Sequence, residues 1–209
     1  MCAQKRIALY GGTFDPVHIG HLEIARRVAE LFEIEKVIFI PAQVAPHKVG
    51  RAVTEPIHRY AMLALATQED AELVVSTFEL DAPDRRYTVD TVEHFQRELG
   101  DSSELFFIMG ADSWSEITTW RDWERLLTMI NHIVVTRPGF EPSRSHVGPV
   151  GERVVFTDAV MMDVSATNIR RMASEGRYED LAWLLPKPVL EYIRKYQIYR
   201  ELNEAKLNS

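Results

Sequence analysis

Short apolar runs alternate with amphipathic segments along most of the chain. Ile7–Tyr10 is a four-residue apolar run that stops at Gly11-Gly12. Leu22, Ala25, Val28, Ala29 and Phe32 then recur at helical spacing. Val37–Ile40 reads as a second strand closed by Pro41. Glu55–Thr67 reads as a helix whose apolar residues are Ile57, Met62, Leu63 and Ala66. Leu73–Leu80 alternates loosely and predicts an extended segment. Thr88–Leu99 predicts a helix stopped by Gly100. Leu105–Met109 is an apolar strand ending at Gly110, Trp120–Leu127 is helical, and His132–Thr136 is a strand stopped by Pro138-Gly139. Val154–Phe156 is a short late strand, and Ser165–Met172 and Pro188–Tyr196 are closing helices. Gly139–Gly151 carries Pro, Ser and Gly with little apolar content and reads as a surface loop.

The predicted order is β-α-β-α-β-α-β-α-β-β-α-α. Strands that alternate with helices favour a mainly parallel sheet covered on both faces, with right-handed crossovers. The expected fold is therefore α/β, Rossmann-like and doubly wound, with a small C-terminal helical part. Residues 1–209 form one domain, with 165–209 as that helical subregion. Ligands of such sheets bind beyond the carboxyl ends of the strands, where strand order reverses. The places to look for chemistry are thus the segments after Tyr10, Ile40, Met109 and Thr136.

Composition narrows the partners. Charged residues are 26% of the chain and 46% is apolar, an ordinary globular balance. Lys plus Arg is 24 against 31 acids, a net charge of −7. This disfavours a protein that grips long nucleic acid through its backbone, but leaves room for a small anion where a few cations converge. Cys2 is the single cysteine, so no disulfide forms within the chain and no Cys-rich zinc site is available. No apolar run approaches a membrane span, and Arg6–Tyr10 begins a strand where a signal peptide would need a longer apolar stretch. The expectation is a cytoplasmic protein without membrane or nucleic-acid partners. The sequence leaves self-association into a homo-oligomer open.

The densest chemistry lies in Gly11-Gly12-Thr13-Phe14-Asp15-Pro16-Val17-His18-Ile19-Gly20-His21. Two glycines after a strand permit a tight turn and a close approach to ligand. Asp15-Pro16 signals the start of a helix, with Asp as cap and Pro in the first turn. Such a start points N–H groups at an anion, and phosphate is the natural one. His18 and His21 are three residues apart and share a helix face. They can donate hydrogen bonds to phosphoryl oxygens and carry charge as it builds up in a transition state. Gly20 between them leaves space for the ligand. No Lys-Ser/Thr follows the glycines, which excludes a Walker loop, and the spacing is neither G-x-G-x-x-G nor a zinc-binding H-E-x-x-H.

These residues match a known pattern. Gly11–His21 resembles the phosphate loop and HxGH signature of the nucleotidyltransferase superfamily. Val164-Ser165-Ala166-Thr167-Asn168-Ile169-Arg170 resembles its late ISSTxIR motif, with Ala166 in place of a serine. Pro46-His47-Lys48, Tyr87-Thr88-Val89-Asp90-Thr91, Gly110-Ala111-Asp112-Ser113 and Trp120-Arg121 extend the likeness over almost the whole chain. Together they resemble the bacterial nicotinate-nucleotide adenylyltransferases. The resemblance implies ATP and nicotinate mononucleotide as substrates, nicotinic acid adenine dinucleotide and pyrophosphate as products, and a place in NAD biosynthesis. It also implies Mg2+, carried through substrate phosphates.

The resemblance assigns roles by position. His18 and His21 are the catalytic pair. Gly11, Gly12, Thr13, Phe14, Lys48, Ser165, Thr167 and Arg170 bind ATP or phosphate. Thr88, Thr91, Asp112 and Trp120 bind the acceptor: Thr88 and Thr91 at a helix start that holds the carboxylate, Trp120 as a stacking surface and Asp112 near the ribose or the metal. Asp84-Arg85-Arg86 departs from the family, which often has small residues there. The nearest alternative is a related enzyme acting on nicotinamide mononucleotide or phosphopantetheine. A nucleotide-binding regulator without catalysis is disfavoured, because His18, His21 and Arg170 are all intact.

Overall fold

The computed structural model describes residues 4–43, 53–81, 87–136, 152–158 and 164–200. Among them, six strands form one all-parallel sheet: β1 (Lys5–Gly12), β2 (Lys36–Pro41), β3 (Leu73–Val75), β4 (Ser103–Gly110), β5 (Asn131–Val135) and β6 (Val154–Thr157). Their spatial order is β3-β2-β1-β4-β5-β6. The chain winds outward from β1 to β3, then crosses back to place β4 on the other side of β1. Strand order therefore reverses between β1 and β4, which pair in register from Lys5↔Ser103 to Tyr10↔Ile108. Of the four segments singled out from the sequence, those after Tyr10 and Met109 flank this switch point.

The helices are α1 (Ile19–Phe32), α2 (Pro56–Thr67), α3 (Thr88–Leu99), α4 (Ala111–Ser115), α5 (Trp123–Met129), α6 (Ala166–Ser174), α7 (Tyr178–Leu181) and α8 (Lys187–Tyr196), with a 3-10 turn at Ile117–Thr119. Alternate strand residues face opposite sides. Ala8, Tyr10, Phe106 and Ile108 pack on one face with α1, α2 and α6–α8. Ile7, Leu9, Leu105, Phe107 and Met109 pack on the other with α3, α4 and α5. Both faces of the strands are covered, so their runs are apolar without alternation. The C-terminal helices join the first face and so reach the turn after β1.

Three expectations differ from what forms. The extended segment at 73–80 pairs only through Val75, because Phe78 leaves the sheet to stack on His94, ring centroids 3.7 Å apart and 7° from parallel. The helix expected from Trp120 starts at Trp123. Trp120 itself is extended (φ −78°, ψ 146°) after the 3-10 turn, and Asp122 is left-handed at φ 50°. In α2, Ile57 is 63% exposed while Arg59 is fully buried. Arg59 lies three and four residues before Met62 and Leu63, on the buried face, and so takes a core position that Ile57 does not. The loop expected at 139–151 lies outside the described residues.

Candidate active site

The turn after β1 is built on aromatic packing. Phe14 is in the left-handed region at φ 50°, where a side chain normally costs about 1–2 kcal/mol. Its buried ring meets Tyr10, Phe39 and His21 edge-on, with centroids 5.1–5.5 Å away. Gly12 serves this ring: a Cβ there would stand 2.8 Å from the Phe14 ring. At Gly11 a Cβ would meet Phe107 at 3.0 Å. The glycines thus make room for aromatic rings, whereas the sequence suggested room for a ligand.

His18 is the N-cap residue of α1 and His21 lies in its first turn. Their rings stack with centroids 3.7 Å apart and 23° between planes. His21 Nδ1 accepts a hydrogen bond from the His18 backbone N–H at 3.2 Å. In the neutral ring this puts the proton on Nε2, the nitrogen on the far side. His18 is 7% exposed, and its Nδ1 has no hydrogen-bond partner among the described residues. Burial pushes its pKa down to about 4, so the imidazole is neutral at pH 7. Gly20 is required by His18: a Cβ there would stand 3.1 Å from His18 Nδ1 and 3.7 Å from Val164 Cβ. The space it keeps is for the histidine ring.

The start of α1 offers fewer free donors than the Asp15-Pro16 signature suggested. Ile19 N–H donates to the Leu184 carbonyl at 3.0 Å, and His21 N–H to the His18 carbonyl at 2.9 Å. Asp15 does not cap the helix. It is buried, its Oδ1 accepts from the Tyr199 hydroxyl at 2.8 Å, and its Oδ2 accepts from the Thr54 N–H at 3.3 Å. Burial and the Asp15 carboxylate raise the Tyr199 pKa well above the ordinary phenol value.

Two arginines hold the turn. Arg170, on α6, donates from Nη1 to the Asp15 carbonyl at 2.6 Å and from Nη2 to Thr167 Oγ1 at 3.1 Å. Segments 155 residues apart in sequence are thereby joined at one point. Ser165 is the N-cap residue of α6 without a side-chain cap bond, so the first-turn N–H groups of α6 emerge beside this junction. Arg59 was not legible as a site residue. It donates from Nε to the Thr54 carbonyl at 2.9 Å, from Nη1 to the Thr13 carbonyl at 2.8 Å and from Nη2 to the Gln43 carbonyl at 3.2 Å. Burial lowers its pKa, and the nearby Asp15 charge acts the other way. The available signal was its position on the buried stripe of α2.

The acceptor candidates fall beyond the other side of the switch point. Asp112 is exposed in α4, directly after β4. Trp120 is half-buried and meets Phe107 edge-on at 6.3 Å, whereas Trp114 is fully buried in the core. The guanidinium of Arg121 lies 4.8 Å from the Tyr87 ring centre, which brings Trp120 and the start of α3 together. Tyr87 is the α3 N-cap residue and Thr88 opens the helix. Thr91 is turned inward: its hydroxyl donates to Glu79 at 2.7 Å and its N–H to the Tyr87 carbonyl at 3.1 Å. Of the two threonines, only Thr88 stands at the helix mouth. Lys48 and Asp84-Arg85-Arg86 lie outside the described residues. Among those residues no group of three or more His, Cys, Asp or Glu could hold a metal ion, and no helix is long and apolar enough to cross a membrane.

Known proteins resemble this chain over most of its length. Residues 9–172 match the cytidylyltransferase-like family, a span that includes both histidines and Arg170. A Thermoanaerobacter sp. (strain X514) protein named probable nicotinate-nucleotide adenylyltransferase is 40% identical over 207 residues, covering 96% of this chain and 97% of its own. A protein of the same name from Desulfitobacterium hafniense (strain Y51) is 41% identical, with 94% and 96% covered. Among solved structures, Plasmodium falciparum nicotinic acid mononucleotide adenylyltransferase complexed with NaAD superposes with a TM-score of 0.75 at 20% identity, covering 93% of this chain and 97% of that one. At that identity the likeness speaks for the fold alone.

Proposed function

Because the chain belongs to the cytidylyltransferase-like family, in its nicotinate-nucleotide adenylyltransferase branch, we propose that it transfers AMP from ATP to nicotinate mononucleotide. The products are nicotinic acid adenine dinucleotide and pyrophosphate. The observation that carries the reading is the Arg170 to Asp15 hydrogen bond, which joins the two-histidine turn to the late helix at the sheet's switch point.

The chemistry follows from the residues so placed. A 5′-phosphate oxygen of the acceptor attacks the α-phosphorus of ATP. One P–O bond forms while the bond to the β-phosphate oxygen breaks, and pyrophosphate leaves on the opposite side. The protein supplies no nucleophile; it holds two anions together and stabilises the charge of the transition state. His21 donates from Nε2 to the α-phosphoryl group, its other nitrogen being held by the His18 N–H. His18, held neutral by burial, gains affinity for a proton when phosphate lies beside it. Arg170, Thr167 and the first turn of α6 face the β- and γ-phosphates. N–H groups of Gly12, Thr13 and Phe14, and Lys48, contribute to phosphate binding.

The nicotinate carboxylate sits at the mouth of α3, at Thr88, with the pyridine ring on Trp120. Asp112 serves the ribose or the metal. Magnesium fits this site as an ion that would arrive on ATP and keep waters, with the exposed Asp112 after β4 as an oxygen donor beside it. When bound, it neutralises part of the triphosphate charge. The enzyme works in the cytoplasm on small nucleotides, in keeping with a net charge of −7 that repels nucleic acid.

The test is pyrophosphate release with ATP, magnesium and either pyridine mononucleotide. Faster turnover with the nicotinate form is expected. No release with either acceptor would overturn the reading, and preference for the amide would reassign the acceptor.

A further inference from the structure

The buried Asp15 carboxylate beneath the phosphate turn has no part in the chemistry just described. Asp15 is 3% exposed, with both carboxylate oxygens and its carbonyl engaged. A carboxylate taken out of water is costly unless hydrogen bonds replace its hydration. Here they come from distant parts of the chain: Thr54 before α2, Tyr199 after α8 and, at the carbonyl, Arg170 on α6. Tyr199 lies 184 residues from Asp15, is buried, and sits in the left-handed region at φ 76°. The backbone at this point adopts a conformation that side chains rarely take, and the phenol reaches the loop.

We propose that Tyr199 is a positioning residue for adenylyl transfer, acting through Asp15 on the phosphate turn and on Arg170. The inference rests on the adenylyltransferase reading. Its physical route is short. The Tyr199 hydroxyl fixes the Asp15 carboxylate. The Asp15 carbonyl, on the same residue, is the anchor of Arg170. Two residues earlier, Arg59 holds the Thr13 carbonyl, and the same guanidinium holds Thr54, whose N–H returns to Asp15. The ring of contacts is closed, so loss of one hydroxyl leaves Asp15 Oδ1 buried without its donor. The residue must then rotate or admit water, and Arg170 and the turn leading to His18 move with it. Charge complementarity supports the arrangement: Asp15 is the acid whose field favours the buried Arg59 cation.

The test is Tyr199→Phe in the full-length chain, which removes one oxygen and keeps the ring. Wild-type turnover is measured first with ATP and nicotinate mononucleotide. In the variant, kcat/KM for ATP is expected to fall about tenfold or more, because small displacements of positioning groups carry costs of that order. The KM for ATP rises while that for the acceptor does not. A purely structural defect would instead lower kcat in proportion to the folded fraction seen by circular dichroism. The ring Cε1–H resonances of His18 and His21, recorded without substrate, are expected to shift. Tyr196→Phe, at an exposed tyrosine near the end of α8, leaves kinetics and resonances unchanged. Asp15→Asn, which removes the charge that faces the buried Arg59, gives the same changes as Tyr199→Phe. If either readout stays at its wild-type value in Tyr199→Phe, the proposal is overturned. If wild-type enzyme releases no pyrophosphate, the adenylyltransferase reading fails instead, and the resonances still report whether Tyr199 holds the turn.

Discussion

Gly20→Ala separates stability from catalysis in this protein. Gly20 lies in the first turn of α1, where alanine is the better helix former by up to about 1 kcal/mol. The backbone would accept the change, since Gly20 is not among the glycines with positive φ. The added Cβ, however, would stand 3.1 Å from His18 Nδ1 and 3.2 Å from its Cε1, so the ring must move by a few tenths of an ångström. That ring is buried and stacked on His21 at 3.7 Å, so it has little room and carries its partner with it. A shift of this size in the proposed catalytic pair is expected to lower kcat about tenfold, or ~1.4 kcal/mol of transition-state stabilisation. Thermal unfolding should change little, because the propensity gain offsets the crowding. The assay is steady-state pyrophosphate release beside a melting curve. Wild-type kcat at unchanged melting temperature would refute the claim that His18 placement controls the reaction.

His21→Ala should lower kcat about 100-fold or more, the scale of losing one donor to developing phosphoryl charge, with circular dichroism unchanged; near-normal turnover would remove His21 from the mechanism. Trp120→Ala should raise the KM for nicotinate mononucleotide and leave that for ATP unchanged, as initial-rate kinetics will show. Acid stability depends on buried His132, whose Nε2 donates to the Leu126 carbonyl at 3.1 Å and whose pKa burial lowers to about 4. The unfolded chain binds a proton near pH 6.5 and the folded one does not, so stability is full above pH 6.5 and falls as pH drops towards 4. For this one group the loss is about 3 kcal/mol. Denaturant titrations of His132→Gln should show a fall between pH 7 and pH 4 that is smaller by roughly that amount.

Much of the architecture was legible because both faces of the strands are buried. Such strands read as uninterrupted apolar runs, and their alternation with amphipathic helices specified the parallel sheet. The strand, glycine turn and helix start that carry His18 and His21 were legible because their signals are local, and the start of the late helix that carries Arg170 was legible through its motif. What could not be seen was how the turn is supported. Asp15 has the signature of a helix cap, yet its partner is Tyr199, which local spacing cannot indicate. Arg59 resembles a surface cation until its carbonyl partners, from three separate segments, are brought to it by the fold. The glycines were assigned to ligand clearance, and the rings of Phe14, Phe107 and His18 took that space. Thr91 shared a helix with Thr88, but 3.6-residue periodicity turned it toward Glu79 and the interior.

The proposed reaction is a single direct transfer assisted by His18, His21 and Arg170. Its most direct test uses ATP made chiral at the α-phosphorus, with nicotinate mononucleotide as acceptor and the product dinucleotide analysed for configuration. One in-line displacement without a protein nucleophile predicts inversion at phosphorus. Retention of configuration, with AMP found attached to the protein, would contradict it.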